Sequence, residues 1–286
     1  MKPVSFVLAK TEGRSFLDQQ EDLVHFYDAY HTHPEWQLCH IQAGTGTAVL
    51  GDYVGPFSAG DLFLVGSGLP HVFRNSPEYY LPGSSLRARG RFLYIDLEAW
   101  GSAFWNTEAC QDLNRFLDQH RGAYEVRGVL KQRLLERWKR LEAPGGMAEV
   151  LCFLELLLLM QQDASGLREL SGARLSQEWK AAGCDRLGEV IRYCSRECHR
   201  RIPLREIAAV AHMTPEAFSR FFHKSTRKTF TEFLNQLRVS QACRLLQQGK
   251  SPVEAADGSG FQNLSHFYRT FRKFMHLSPA EYLRKL

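Results

Sequence analysis

The sequence predicts a two-domain α+β protein: an N-terminal β barrel followed by helices, then an all-α domain built from two helix-turn-helix units. Three observations carry that expectation. Residues 23–100 hold short stretches such as "EWQLCHIQAG", "GTAVLGDY" and "AGDLFLVGSG", which alternate or run apolar between Gly, Pro and Asp, as strands of a sandwich or barrel do. Near the other end, "FSRFFHK" from Phe218 and "FYRTFRK" from Phe267 repeat Phe, Arg, Phe and Lys at an interval of 49 residues. Charge divides the same way: residues 181–286 hold 18 Lys and Arg against 9 Asp and Glu, while the rest holds 18 against 22. With 286 residues, 44% of them hydrophobic, the chain can bury two cores.

In the N-terminal half, "YHTHPEWQ" precedes "GDLFLVGSGLPH" by about thirty residues. On a strand, His31, His33 and Gln37 point the same way because side chains alternate with period two, and His71 comes from the second motif. The pair of motifs resembles the double-stranded β-helix, or cupin, domain that forms the sensory half of many regulators. Metal-binding cupins carry two His, a Glu and another His at these positions. Here Gln37 stands where the glutamate would be and Glu35 lies two residues earlier, which removes an anionic ligand that a divalent metal favours. The expectation is therefore an effector pocket of His31, His33, Gln37 and His71 with no metal and no cofactor assigned, the alternative being that the three histidines hold zinc or iron with open positions. Trp36, Phe63 and Phe73 are expected to pack the barrel interior.

Residues 101–162 read as helices, "CQDLNRFLDQH", "LKQRLLERWKRLE" and "MAEVLCFLELLLLMQQ", with "APGG" at 143–146 breaking the last two. The apolar run 150–160 is about half the length that a membrane span needs and contains Glu155, so a buried helix or a dimer seam is expected. "DASGLRELSGARLSQ" at 163–177 is polar and small, as linkers are. The expected divisions are a barrel at 1–100, helices at 101–162, a linker at 163–180 and the basic domain at 181–286. The N-terminus lacks the basic-then-apolar order of a secretory signal, and seven cysteines form no disulfide framework, which points to the cytoplasm. Cys194, Cys198 and His199 share a helical face, but no second ligand pair follows at zinc-like spacing.

The basic domain repeats further. Glu206-Ile207-Ala208 corresponds to Glu254-Ala255-Ala256, and both copies end on a capping-box pattern, Thr229 with Glu232 and Ser278 with Glu281. Thr214-Pro215 reads as an N-cap followed by proline at the first helical position. In the helix after it, Phe218, Phe221 and Phe222 line one face, and Glu216, Ser219, Arg220, His223, Lys224 and Arg227 the other. In the second copy Phe267, Phe271 and Phe274 face inward, and Ser265, Tyr268, Arg269, Arg272 and Lys273 face out. A helix fits the major groove, where Arg, Gln, Asn and His reach base edges, while Ser, Thr and the helix N-terminus hold phosphates. Between the copies, a helix of roughly 18 residues from about Thr231 to Gln248 is about 27 Å long, against the ~34 Å recurrence of the groove. Leu234, Leu237, Ala242, Leu245 and Leu246 would pack that rod on both units.

"REIAAVAHMTPEAFSRFFHK", "LRVSQACRLLQQ" and "GFQNLSHFYRTFRKFMHLSPAEYLRKL" together resemble the C-terminal module of the AraC-type transcriptional regulators, which has two helix-turn-helix units joined by one long helix. The resemblance implies recognition helices within 214–227 and 262–273. It gives as DNA-contacting residues Thr214, Glu216, Ser219, Arg220, His223, Lys224, Gln262, Asn263, Ser265, His266, Arg269, Arg272 and Lys273. This sequence departs from the family pattern at Asp257, where an apolar residue is usual, and at His212 and His276, where glycine is usual. The implied function is a bacterial transcription regulator, not an enzyme, that binds double-stranded DNA and a small-molecule effector. A homodimer is implied, and RNA polymerase is left open as a further partner. The alternative is a metal-dependent cupin enzyme, a dioxygenase or isomerase, with a helical interaction domain attached.

Overall fold

The computed structural model describes residues 16–28, 30–142, 146–172, 183–226 and 228–284. Residues 143–145 of the "APGG" break, Arg227 and the second part of the expected linker, 173–180, lie outside them.

The N-terminal half contributes β1 (Phe16–Leu23), β2 (Trp36–Ala43), β3 (Gly46–Leu50), β4 (Tyr53–Phe57), β5 (Leu62–Val65), β6 (His71–Asn75) and β7 (Ala88–Ile95). Then come α1 (Gly101–Trp105), α2 (Gln111–Gln119), β8 (Ala123–Val126), α3 (Gly128–Lys139), α4 (Met147–Gln162) and β9 (Leu167–Ser171). The strands form a six-stranded sheet in the order β1-β7-β2-β5-β8-β9 and a three-stranded sheet in the order β4-β3-β6. Every strand pair is antiparallel. The expected barrel is thus realised as two separate sheets facing each other.

Alternation along the strands builds four layers. Cys39, Ile41, Phe63 and Val65 of the large sheet meet Ala48, Leu50, Phe57 and Phe73 of the small one in the central core. On the opposite face of the large sheet, Trp36, Leu38, Leu62, Leu64 and Leu93 pack under Phe116, Leu134, Trp138, Phe153 and Leu156 of the helices. Trp36 therefore corrects the expectation: it lies beneath the helical layer, one residue out of phase with the interior positions Gln37, Cys39 and Ile41.

Two strands also come from beyond residue 100, so the sheet is not confined to 1–100 and the stretch from 163 is not all linker. β8 has four residues, and β9 is "LRELS", whose charges read as a linker until the partner strand is seen. Across that pair Arg168 Nε donates to Glu125 Oε2 at 3.0 Å.

The C-terminal module comprises α5 (Gly183–Glu197), α6 (Leu204–Val210), α7 (Pro215–Thr226), α8 (Phe230–Gln247), α9 (Pro252–Gly258), α10 (Leu264–Met275) and α11 (Pro279–Leu283). α8 has the 18 residues expected of the rod and serves two cores. Phe233, Leu234 and Leu237 join Phe218 and Phe222, whereas Ala242, Cys243 and Leu246 join Phe267 and Phe271. Gly260 binds the halves closely: its φ is +86°, and a Cβ there would stand 2.3 Å from the Cys198 carbonyl oxygen. The first of these cores does not stop at the module. Tyr30, Val49, Val54 and Val72 of the N-terminal half belong to the same apolar cluster, which makes the module the fourth layer, laid on the outer face of the small sheet. Among the described residues no helix is long and apolar enough to cross a membrane.

Candidate functional site

Helix α7 begins where Thr214 Oγ1 accepts a hydrogen bond from the Ala217 amide at 3.3 Å. Phe218 and Phe222 anchor its inner face with no exposed surface, and Phe221 is half-buried. Glu216, Ser219, Arg220, His223 and Lys224 are exposed on the outer face, with Thr214 exposed at its start. Ser219 turns its hydroxyl back to the Pro215 carbonyl at 2.8 Å.

Helix α10 repeats the arrangement. Asn263 is its N-cap, accepting from the His266 amide at 3.0 Å, and Phe267 and Phe271 are fully buried. Gln262, Ser265, Arg269, Arg272 and Lys273 are exposed, while His266 is half-buried with its ring edge against Phe261. Phe274, expected inward, is half-buried. Lys273 pairs with Glu232 at 2.9 Å and Arg272 with Glu281 at 3.8 Å, whereas Arg220, Lys224 and Arg269 carry no ion pair among the described residues. Each helix is followed or preceded by a residue in the left-handed region: His212 has φ 54° in the turn before α7, and His276 has φ 56° as the C-cap of α10. These are the two positions where the resemblance implied glycine.

In the N-terminal half the four expected pocket residues are all buried, with His31 8%, His33 3%, Gln37 3% and His71 1% exposed. Gln37 lies in β2, but His31 and His33 precede that strand, so their convergence comes from another pairing. His31 and His71 face each other in an antiparallel bridge, exchanging amide-to-carbonyl bonds of 3.1 and 2.8 Å. Burial, and then the neighbouring His31 and His33, hold the His71 imidazole well below its ordinary pKa. Burial lowers that of His33 as well, against the pull of Glu35. Burial thus favours the neutral form of both rings.

The seam between the halves holds residues that the sequence did not single out. α8 lies along β3 and β4. Thr47 Oγ1 and Ser240 Oγ are 2.8 Å apart, Arg244 pairs with Glu78, and Lys228 Nζ donates to the Asp52 carbonyl and to Gln236 Oε1, the latter at 2.9 Å. A cavity of about 300 Å³ opens on this seam, lined by Arg74, Ser76, Tyr80, Arg196, Ser240 and Arg244 among others. No signal in the sequence marked them, because the apolar faces of α8 already serve the two cores of its own module.

Three of the described cysteines give no sign of activation. Cys39, Cys194 and Cys198 are free and buried, and burial raises all three thiols, Cys198 to about 11.

The description "AraC-like ligand binding domain" matches residues 17–145, and that of a helix-turn-helix domain matches residues 207–285. The chain is 30% identical over 97 residues to the uncharacterised HTH-type transcriptional regulator YobQ of Bacillus subtilis, a match taking in 34% of this chain and 40% of that protein. It is 25% identical over 270 residues to the HTH-type transcriptional regulator MtrA of Neisseria gonorrhoeae, covering 87% of this chain and 86% of the relative. Among solved structures, fatty-acid-bound ToxT from Vibrio cholerae aligns over 95% of this chain and 96% of its own, at 15% identity and a TM-score of 0.37.

Proposed function

Since the chain belongs to the AraC-type transcription regulators, we propose that it reads double-stranded DNA with α7 and α10 and is switched by a small molecule taken up in its N-terminal half. The observation that carries this reading is the twin presentation. Two N-capped helices, each aromatic inward and basic outward, are held on one rod of 18 residues, about 27 Å long and suited to successive major grooves. In this reading Arg220 and Arg269 contact bases or phosphates, and Lys224 and Lys273 contact phosphates, Lys273 after release from Glu232. Thr214, Glu216, Ser219, His223, Gln262, Asn263, Ser265, His266 and Arg272 complete the surface. The protein acts as a binding protein rather than an enzyme, in the cytoplasm with the DNA, and contact with RNA polymerase would follow where it activates.

The effector pocket is assigned to His31, His33, Gln37 and His71. An effector alters DNA binding only through a difference in its affinity for two arrangements of the module, and each factor of ten is about 1.4 kcal/mol. The seam is where two arrangements would differ.

A homodimer is assigned to α4. That helix is apolar all round: Cys152, Phe153, Leu156, Leu157 and Met160 face the sheet, while Met147, Leu151 and Leu158 are 71%, 56% and 41% exposed.

The test is selection of bound DNA from a random duplex pool by the full-length protein. Enrichment of two short blocks about one helical turn apart supports the reading. Salt-sensitive binding with no enriched sequence defeats it.

A further inference from the structure

We infer that His31, His33 and His71 form a site for one divalent transition-metal ion, zinc by preference, inside the N-terminal half. One ring nitrogen from each of the three lies within 4.8 Å of the others, and all three residues are buried. The backbone holds them there. The bridge between His31 and His71 sets their rings 4.4 Å apart by centroid, and His33, two residues along, brings its ring to 4.9 Å from His71.

Hydrogen bonds then decide which nitrogen each ring offers. His33 Nδ1 donates to the Glu35 carbonyl at 3.0 Å, and His71 Nδ1 donates to the Leu69 carbonyl at 2.8 Å. With the proton fixed on Nδ1, each Nε2 keeps its lone pair, and His33 Nε2 and His71 Nε2 are both buried with no hydrogen-bond partner among the described residues. An imidazole bound by its outer nitrogen to a carbonyl, with the other free toward a shared point, is how metal-ligating histidines are oriented. Gln37 Oε1 is a further buried acceptor with no partner among the described residues.

The donor set selects the ion. Three imidazoles suit zinc, which takes three protein ligands and keeps a fourth position open, and they do not suit calcium or magnesium, which require oxygen ligands. A Glu35 carboxylate oxygen 3.6 Å from His33 Nδ1 supplies a nearby negative charge behind that ring. The site occupies the effector pocket assigned above, but it stands on this geometry alone, so its failure would leave DNA recognition untouched.

The experiment uses full-length protein stripped with chelator. Zinc is titrated calorimetrically, retained zinc is measured by elemental analysis after gel filtration, and cobalt is substituted for a visible spectrum. His71→Gln and His33→Gln are compared with His199→Gln, which changes an exposed histidine elsewhere. The expected result is one zinc per chain, a rise in the melting temperature on adding zinc, and the intense cobalt absorption of a four-coordinate site. His71→Gln or His33→Gln should weaken zinc binding beyond the ~10–100-fold cost of losing an outer-shell partner, while His199→Gln binds normally. Should one ligand variant fail to fold, the other and the wild-type melting shift still decide. Binding that both ligand variants leave intact, or no binding above that of a surface histidine, overturns the proposal and leaves a trapped water as the shared partner.

Discussion

His276→Gly and His212→Gly should each stabilise the protein. Both residues sit in the left-handed region, at φ 56° and 54°, where a Cβ crowds the carbonyl and costs about 1–2 kcal/mol. Glycine removes that cost and returns about 0.5–1 kcal/mol through the greater freedom of the unfolded chain. The net gain is about 0.5–1 kcal/mol per site. Both rings are exposed, so little packing is lost with them, and the His276 amide keeps its bond to the Arg272 carbonyl at 3.0 Å. The two turns belong to units with separate phenylalanine cores, so the gains should add to about 1–2 kcal/mol. At about 2–4 °C per kcal/mol for chains of somewhat smaller size, the double variant should melt about 2–8 °C higher.

Thermal unfolding followed by far-ultraviolet circular dichroism at fixed protein concentration measures this. Alanine at the same positions is the control, because it removes the ring and keeps the Cβ, and it should gain nothing. Equal melting temperatures for the glycine and alanine variants, or a loss with glycine, would refute the reasoning from backbone strain.

Arg220→Ala should lose about 1–3 kcal/mol of DNA affinity and relax one base position, as measured by titration of a selected site and its point variants. An equal loss on every sequence with a shallower salt slope would make it a phosphate contact. Leu151→Glu with Leu158→Glu should convert a dimer into a monomer in sedimentation equilibrium while leaving the far-ultraviolet circular dichroism of the folded chain unchanged, since both side chains are exposed in the protomer. His40 titrates below its ordinary value because of burial first, then Lys131, Arg91 and Lys139. The folded state therefore holds fewer protons there than the unfolded one, so this contribution is intact above about pH 6.5 and lost as pH falls through the folded value. His40→Gln should flatten the melting temperature across that window.

The two halves were unequally legible. The C-terminal helices were readable because each carries a full aromatic stripe, a cap and a repeat to check against, so Phe218, Phe222, Phe267 and Phe271 could be placed inside before any coordinates. The rod's division between two cores followed from Leu234 and Leu246 lying on different faces. Short strands carry no such redundancy. β8 spans barely two alternations, and Arg168 and Glu169 disguise β9, so only the pairing across the sheet reveals them. The histidines were legible as a set, but their meeting depends on the His31–His71 bridge rather than on one strand. Ser240 and Arg244 gave no local signal, because what buries them is the other half of the chain.

The apolar cluster that runs from Val49, Val54 and Val72 into Leu187, Ile191 and Leu237 bears on how such a chain can be rebuilt. A chimaera that joins this N-terminal half to a foreign DNA reader would inherit a greasy valine surface shaped for helices it no longer has. A successful graft must therefore carry the surfaces of α5 and α8 along with the sensor, or repaint those valines. The natural unit of exchange is set by the shared core, and it ends well beyond the point where the peptide passes from one half to the other.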